Sequence, residues 1–377
     1  MRMLVLGAGL QGCACAYDLL KDKDVTSVRL ADLHINHLPD FLKPFSGPRL
    51  LPTTLDVRDH TAVLAVMKEC DAVMSAIPYY FNLDLARQAV EVGVHFCDLG
   101  GNTEIVFKQK ELDADARAKK ISVVPDCGLA PGMVNILSEY GIRQLDTVES
   151  VKIFVGGLPQ KPEPPLNYML VYSLEGALDY YTTLSWVLRN GKQTQVKALS
   201  EREPVKFDFA ELEAFHTAGG LSTMASRYEG KIPTMEYKTL RYPGHAALME
   251  NIRDLGLLDN EPMDVKGTKV VPRDLFIAKV QPQLTKPNGR DLVALRVIVK
   301  GTKDGKPATR TFELVDKFDE QNHISAMMRT TGYSLSITGL MQVRREVQPG
   351  VHTPDEAIDA AKYISELKKR GVEIRES

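Results

Sequence analysis

The stretch MLVLGAGLQGCACAYDLL, residues 3–20, decides the fold of this chain. An apolar run typical of a strand leads directly into Gly7, Gly9 and Gly12, which form a G-x-G-x-x-G pattern, and a helical segment follows. In this pattern the first glycine allows a tight turn, the second lets the backbone approach a pyrophosphate, and the third permits close packing of helix on strand. The stretch therefore predicts the strand, turn and helix of a dinucleotide-binding unit.

The start of this helix and the end of the next strand complete the prediction. We expect the N–H groups of Leu10, Gln11 and Gly12 to bind the phosphates, because a helix N-terminus attracts anions. Asp32 follows Gly12 by twenty residues and closes the second predicted strand, where a carboxylate can bind both hydroxyls of a ribose. The carboxylate would repel a 2'-phosphate, and neither of the next two residues is an arginine, so NAD is favoured over NADP.

Two further strand ends are candidates for cofactor contact. Asp56 and Val57 end the third predicted strand and could meet the adenine, while Ala76, Ile77 and Pro78 end the fourth and could lie along the nicotinamide ribose. An ordinary strand end explains these residues equally well.

Strands and helices alternate over the first 150 residues, which is typical of βαβ units and predicts an α/β fold with a doubly wound, parallel Rossmann sheet. The strands predicted there cover residues 3–7, 27–32, 49–57, 72–77, 94–99 and 121–126. Beyond residue 146 the pattern changes to strands joined by turn signals such as Asn190-Gly191 and Asp304-Gly305, which predicts a second, α+β domain with a mainly antiparallel sheet. The strands predicted in this part cover residues 148–157, 188–199, 235–242, 292–301 and 308–318.

A chain of 377 residues is long enough for two domains. We expect residues 1–130 to form the dinucleotide-binding domain and residues 131–323 the substrate-binding domain. The segment 324–377 contains a long apolar helix and a second helix capped at Thr353, and we expect both to return to the first domain, because an apolar helix needs a surface to cover.

Composition and charge exclude several classes of protein. Lysine plus arginine (47) nearly balance aspartate plus glutamate (49), so no basic field is available to attract nucleic acid or an anionic membrane. No apolar run is long enough to span a bilayer, and the first strand begins too early to leave room for a signal peptide, so we expect a cytoplasmic protein. The five cysteines lack C-x-x-C spacing, so we expect neither a disulfide framework nor a metal site.

Several motifs resemble those of the saccharopine dehydrogenase-like family, and within it those of the bacterial L-lysine 6-dehydrogenases. They are the glycine-rich start, SAIPYYFN (75–82), CDLGGNTE (97–104), PDCGLAPGMVNILSEYG (125–141), VGGLPQKPEPPLNY (155–168), YSLEGALDYYT (172–182), LEAFHTAGGLST (212–223) and YKTLRYPGH (237–245). The resemblance extends over nearly the whole chain, including the second domain.

The resemblance implies an enzyme that uses NAD to deaminate the side chain of L-lysine oxidatively. The product is allysine, which cyclises to piperideine-6-carboxylate. It also implies a homodimer or homotetramer that assembles through the second domain's sheet. Two other hypotheses stay open: a saccharopine-family reductase that forms or cleaves a secondary amine, and a sensor that binds NAD without chemistry.

Oxidation of an amine requires a proton acceptor, because the nitrogen lone pair must be free as the C–H bond breaks. The candidates are His216, which we place in a loop and whose side chain titrates near neutrality, and Asp126, at the carboxyl end of the sixth predicted strand. We favour His216 slightly. A histidine hydrogen-bonded in a loop and a capping acid are the structural alternatives.

Four residues are candidates for substrate binding. Arg241 offers a planar fork for the α-carboxylate, although a structural ion pair is the alternative. Glu175 could pair with the substrate amine, Thr217 lies next to His216, and Tyr80 could form a wall of the nicotinamide site.

Overall fold

The computed structural model describes residues 1–35 and 37–377. Its first half contains a parallel sheet whose strands are apolar on both faces, as expected for a sheet covered by helices on both sides. The first six strands are β1 (Arg2–Leu6), β2 (Ser27–Asp32), β3 (Leu50–Thr54), β4 (Ala72–Ser75), β5 (His95–Asp98) and β6 (Ser122–Val124). The helices between them are α1 (Leu10–Lys21), α2 (His60–Met67), α3 (Asn82–Val92), α4 (Thr103–Lys110) and α5 (Asp113–Ala118), with 3-10 segments at Asp40–Phe45 and Tyr79–Phe81.

The strand order is β6-β5-β4-β1-β2-β3, all parallel, so the predicted doubly wound Rossmann sheet is confirmed. The chain reverses direction between β1 and β4, and the crevice at the carboxyl ends of these two strands is where such sheets bind ligands. The third strand is shorter than predicted and ends at Thr54, so Asp56 and Val57 lie in the turn beyond it.

A second sheet follows, after helix α6 (Met133–Arg143). Its strands are β7 (Thr147–Pro159), β8 (Ser185–Arg189), β9 (Lys192–Val196), β10 (Glu203–Phe207), β11 (Ala210–His216), β12 (Thr234–Arg241), β15 (Asp291–Lys303) and β16 (Lys306–Lys317), while β13 (Met263–Val265) and β14 (Thr268–Val270) form a separate hairpin. Four helices accompany them: α7 (Leu174–Thr182), α8 (Met224–Arg227), α9 (His245–Asp254) and α10 (Pro272–Leu284).

The second sheet has the order β10-β11-β12-β7-β15-β16, and the β8–β9 hairpin pairs with β12. Its pairings are antiparallel except that of β12 with β7, which confirms a second domain with a mainly antiparallel sheet. Asn190 and Gly191 both have positive φ at the β8–β9 turn, as the turn signal predicted. The sequence prediction missed β10 and β11, and His216 ends β11 instead of lying in a loop.

The C-terminal segment packs against the first domain through α11 (Ala326–Val343). A Cβ on Gly332 would lie 2.7 Å from the Cβ of Ala14 in α1, so this glycine permits the close approach of the two helices. The predicted capping box at Thr353 is present, but the helix it starts ends after one turn. The last elements are β17 (Gly350–Val351), which extends the first sheet beside β6, α12 (Pro354–Ala357), α13 (Ala360–Lys369) and β18 (Arg375–Glu376), which pairs with β16 of the second sheet.

No helix within residues 1–35 and 37–377 has the combination of length and apolar character that a membrane span requires.

Candidate active site

A cavity of about 910 Å³ lies between the carboxyl ends of the first sheet and one face of the second. Six of the predicted cofactor residues line it: Gly9, Leu10, Gln11, Ala76, Ile77 and Pro78. The crevice of the Rossmann sheet therefore opens directly into the space in front of β7 and β12.

The glycine loop leaves room for a phosphate group. Gly7 has a φ of +97°, and a Cβ on Gly12 would lie 1.8 Å from the carbonyl oxygen of Gly7, so neither position accepts a side chain. A Cβ on Gly9 would have no neighbour within 4 Å, and Gln11 carries an amide group that is buried without a hydrogen-bond partner among the described residues. This arrangement fits a dinucleotide whose pyrophosphate lies at the N-terminus of α1.

Asp32 lies at the end of β2, outside the cavity lining but next to the glycine loop. Its Oδ2 accepts a hydrogen bond from the N–H of Ala8 at 2.7 Å, and its Oδ1 accepts one from the N–H of His34 at 2.9 Å. The carboxylate is thus held at the position where such folds bind a ribose.

The two residues expected near the adenine do not line the cavity. Asp56 is bound by the guanidinium of Arg58, with Nη2 2.7 Å from Oδ2, and these hydrogen bonds lower the pKa of Asp56 to about 2. Val57 packs against the hydrophobic cluster on one side of the first sheet. The structure therefore places Asp56 in a surface ion pair and Val57 against the core.

Arg241, the last residue of β12, lines the cavity although it is only 3% exposed. Its Nη1 donates to the carbonyl oxygen of Leu240 at 2.8 Å, and its Nε has no partner. No carboxylate among residues 1–35 and 37–377 forms an ion pair with it, so a structural ion pair does not explain this arginine. Because an unpaired buried charge is costly, the site is suited to an anionic ligand.

Tyrosine side chains surround this guanidinium. Arg241 lies over the ring of Tyr168, with 4.7 Å from its guanidinium carbon to the ring centroid. The hydroxyl of Tyr181 is 3.0 Å from Nε2 of His245, whose Nδ1 is 2.9 Å from the carbonyl oxygen of Leu166. Burial and the charge of Arg241 lower the pKa of His245 to about 3, so this histidine is neutral and adds no charge beside the arginine.

The cavity lining also contains the predicted residues Tyr80 and Glu175. Tyr80 is 60% exposed and packs edge-on against Tyr79, with 5.7 Å between ring centroids. Glu175 lies in the first turn of α7, and its main-chain carbonyl accepts a hydrogen bond from Nη2 of Arg273. Both side chains are free to meet a ligand in the cavity.

Asp126 lies directly behind the cavity wall and is not part of it. It is 2% exposed, its Oδ2 accepts a hydrogen bond from the hydroxyl of Ser222, and its Oδ1 has no partner among the described residues. Burial raises the pKa of Asp126 to about 7. Ser222 does line the cavity, so it separates the carboxyl group from the open space.

His216 does not reach the cavity, and this corrects the expectation that it faces the substrate. It is paired with Lys238 in the register of β11 and β12, and it points to the face of the sheet opposite Thr239 and Arg241, because side chains alternate along a strand. There it is fully buried, with Nε2 3.1 Å from Glu201 and Nδ1 3.2 Å from a main-chain oxygen.

His216 forms a cluster with two acids, Glu201 and Glu236. Each of the three residues has an atom that could ligate a metal, and these atoms lie within 4.8 Å of one another. Arg189 lies among them, with Nη2 2.8 Å from Glu201 and 2.7 Å from Glu236. Because the guanidinium already compensates both carboxylates, the cluster is an ion-pair network.

Thr217 is also not in the cavity lining. Its hydroxyl is 2.7 Å from that of Thr239, which does line the cavity, and its carbonyl accepts a hydrogen bond from Ser185. It therefore supports the wall from behind.

Several cavity residues were not identified from the sequence: Ser222, Tyr180, Tyr237, Thr239 and Trp186. The sequence contains a signal for two of them. Tyr237 and Thr239 precede Arg241 at spacings of two along one strand, so the three side chains share one face of the sheet. The others depend on the packing of separate segments and had no local signal.

The fold and the cavity define a two-domain protein in which a dinucleotide-binding Rossmann domain faces a sheet carrying a buried arginine. Comparison with family models gives a match to the saccharopine dehydrogenase NADP binding domain over residues 3–124 and to the saccharopine dehydrogenase C-terminal domain over residues 128–372. The chain belongs to the saccharopine dehydrogenase family, as the sequence resemblance predicted.

Curated relatives include two fungal proteins named saccharopine dehydrogenase (NADP(+), L-glutamate-forming). The one from Pyricularia oryzae is 27% identical over 223 residues, which is 56% of this chain and 48% of that protein. The one from Saccharomyces cerevisiae is 25% identical over 276 residues, which is 70% of this chain and 60% of that protein. The matches thus span only about half to three fifths of the relatives.

Two solved structures share the fold. Apo histidine-tagged saccharopine dehydrogenase (L-Glu forming) from Saccharomyces cerevisiae superposes with a TM-score of 0.82 at 21% identity, covering 100% of this chain and 99% of the other. The homospermidine synthase from Legionella pneumophila in complex with NAD superposes with a TM-score of 0.70 at 11% identity, covering 100% and 91%.

Proposed function

We propose that this protein is an NAD-dependent oxidoreductase that oxidatively deaminates the side chain of L-lysine to allysine. The observation that carries the proposal is the charge distribution of the cavity. Among the described residues that line it, Arg241 is the only lysine or arginine, whereas Glu104, Glu175 and Asp179 are acidic, and of these Asp179 is paired with Arg273 from outside the lining. One buried cation, together with two acids that no described lysine or arginine neutralises (Glu104 and Glu175), matches a ligand with one carboxylate and one distal amine.

In this proposal Arg241 binds the α-carboxylate of lysine, because a buried guanidinium without an acidic partner gains most from a bidentate anion. The lysine side chain then extends through the cavity toward Glu175 and Tyr80, which line the same cavity and orient the terminal amine. NAD, bound along the glycine loop, supplies the acceptor for the hydride from the ε-carbon. The amine must lose its proton first, because a lysine ammonium group has an ordinary pKa near 10.4.

Asp32 supports NAD as the cofactor. Its carboxylate lies beside the glycine loop and already accepts two main-chain hydrogen bonds, so it is fixed where the 2'-phosphate of NADP would have to lie. The names of the fungal relatives include NADP(+). In this chain the carboxylate of Asp32 disfavours NADP.

The alternative activity is the formation or cleavage of saccharopine, which the names of the relatives favour. Saccharopine carries three carboxylates where lysine carries one. A cavity lined by a single arginine and by two acids without a described cationic partner disfavours that additional negative charge, and for this reason we rank lysine first.

The test is to follow NADH formation by absorbance with purified protein, NAD and a panel of L-lysine, D-lysine, ornithine and saccharopine. We expect turnover with L-lysine. Turnover with saccharopine alone would establish the alternative, and NAD binding without turnover of any amine would indicate a sensor. Because Trp186 is the only tryptophan of the chain and lines the cavity, quenching of its fluorescence reports binding independently of turnover.

We also propose that the protein acts in the cytoplasm as a homodimer or homotetramer. Sedimentation velocity of the purified chain measures the number of subunits, and a monomer at every concentration would contradict this part of the proposal.

A further inference from the structure

Ser222 and Asp126 form a hydrogen-bonded pair that connects the cavity with a buried carboxyl group. We propose that Ser222 is the residue that takes the proton from the substrate amine, passing its own hydroxyl proton to Asp126. The inference rests on the proposed amine oxidation and adds to it the path by which the amine becomes neutral.

The geometry of the pair carries the proposal. The hydroxyl of Ser222 donates to Oδ2 of Asp126, and Ser222 lines the cavity while Asp126 does not. A Cβ on Gly100 would lie 1.6 Å from Oδ1 of Asp126, so the carboxyl group packs directly against the backbone of the cavity wall. The serine hydroxyl is therefore the polar group that lies between this carboxyl group and a ligand in the cavity.

Both residues adopt a backbone conformation that is uncommon for them. Asp126 has a φ of +62° and Ser222 a φ of +50°, in the left-handed region that non-glycine residues rarely occupy. Residues in sparsely populated backbone regions cluster at functional sites. The first lies just after β6 and the second lies just before α8, so the pair also joins the two domains.

The charged and titratable groups around Asp126 favour a carboxyl group that binds and releases a proton near neutral pH. Asp98 on β5 accepts a hydrogen bond from the N–H of Asp126 at 3.3 Å, Asp355 approaches from α12, and Tyr180 approaches from α7. Burial and the negative charges of Asp98 and Asp355 raise the pKa of Asp126, and the hydroxyl of Ser222 opposes them; the resulting pKa is about 7. Asp355 itself is paired with Arg227, which limits its effect.

The proposed step balances as follows. The substrate enters as an ammonium, and one N–H bond breaks as its proton moves to Oγ of Ser222. The hydroxyl proton of Ser222 moves at the same time to Oδ2 of Asp126, so the carboxylate becomes a carboxylic acid and the serine ends unchanged. The electron pair remains on nitrogen and assists departure of the hydride to NAD, and the proton on Asp126 returns to solvent through the same hydroxyl after the product leaves.

The experiment compares the wild type with Ser222→Ala and Ser222→Gly, the latter chosen because glycine tolerates positive φ. The matched control is Ser138→Ala, which removes another buried hydroxyl, one that donates to the carbonyl of Val134 within α6. The first measurement is kcat and KM for L-lysine and NAD over pH 5.5 to 9, about the range in which Asp126 titrates. The second is a proton inventory in mixtures of H₂O and D₂O.

We expect the wild type and Ser138→Ala to show kcat rising with pH through a midpoint near that of Asp126 and a curved proton inventory from two moving protons. Both Ser222 variants should lose about 100-fold in kcat, the low end of what a general base contributes, with KM for NAD unchanged. Their pH midpoint should move upward, because the carboxylate has lost its donor, and their proton inventory should become linear.

The outcomes separate this inference from the proposed function. If the wild type oxidises lysine and the Ser222 variants keep its pH midpoint and curved inventory, the relay is overturned while the proposed function stands. If the wild type reduces no NAD with any amine of the panel, the proposed function itself fails, and the relay fails with it.

Discussion

The guanidinium of Arg241 lies over the ring of Tyr168, 4.7 Å from the ring centroid, and faces a cavity instead of a carboxylate of its own chain. Strand β12, which ends in this arginine, is polar on both faces. Tyr237, Thr239 and Arg241 face the cavity, whereas Glu236 and Lys238 belong to the ion-pair network behind the sheet. One strand therefore supplies part of the cavity lining and the ion pairs behind it.

The first prediction concerns Arg241. Replacing it with glutamine keeps much of its volume and removes its charge, so we expect KM for L-lysine to rise roughly 10- to 150-fold, the equivalent of about 1.5 to 3 kcal/mol for hydrogen bonds to a charged group. The affinity for NAD, measured by quenching of Trp186, should change little. Arg296→Gln is the matched control, because this arginine is paired with Glu313 on β15 and β16. Equal losses for lysine and NAD would contradict the assignment.

The second prediction concerns His216, which the structure places behind the sheet. We expect His216→Asn to leave kcat within about 3-fold of the wild type and its pH profile unchanged, because the side chain does not reach the cavity. The same variant should be less stable by about 1 to 3 kcal/mol, since the buried main-chain oxygen of Tyr237 would lose its contact with Nδ1 of His216. Activity assays and urea unfolding test the two parts, and a loss of kcat at unchanged stability would restore His216 as a candidate base.

The Rossmann domain could be predicted from the sequence because its signals are local. Gly7, Gly9 and Gly12 act through their own backbone, and apolar strands of a parallel sheet are visible as short apolar runs. The strand prediction failed mainly at the ends, as at β3, where the strand ends at Thr54 and the chain enters a turn at Asp56 and Val57.

The catalytic candidates could not be assigned from the sequence for a different reason. The chemistry of His216 and the glycines that follow it favour a catalytic role, yet Leu212, Ala214 and His216 occupy alternate positions of β11 and so face away from Thr239. That alternation is detectable in the sequence once the strand is recognised. The contact between Asp126 and Ser222 joins residues 96 positions apart, and only the packed structure reveals it.

The third prediction concerns cofactor choice. Asp32→Ser should lower the ratio of kcat/KM for NAD to that for NADP by at least about 10-fold, because it removes the negative charge beside the position of a 2'-phosphate. Asp56→Ser is the control, since the carboxylate of Asp56 is engaged by Arg58, whereas that of Asp32 is bound to the main chain of the glycine loop. An unchanged ratio in the Asp32 variant would show that this carboxylate does not determine the preference.

The fourth prediction is a dependence of stability on pH that Asp126 causes. Its pKa in the folded protein is raised to about 7 by burial, whereas in the unfolded chain it is near the ordinary value of 3.9. Between these two values the folded protein keeps the proton and the unfolded chain releases it, so the free energy of unfolding falls as the pH rises from 4 to 7. A difference of three pH units corresponds to about 4 kcal/mol for this one group.

Asp126→Asn should therefore flatten the decline in unfolding free energy between pH 4 and pH 7, because asparagine does not titrate and tolerates positive φ. The measurement is urea unfolding at half-unit pH steps. Asp98→Asn is a useful comparison: burial raises the pKa of Asp98 to about 6, so this variant should remove a smaller part of the decline, over a window that ends about one pH unit lower. If the Asp126 variant declines as steeply as the wild type, the carboxyl group is not buried in its neutral form, and the proton acceptor of the amine must be sought elsewhere in the cavity.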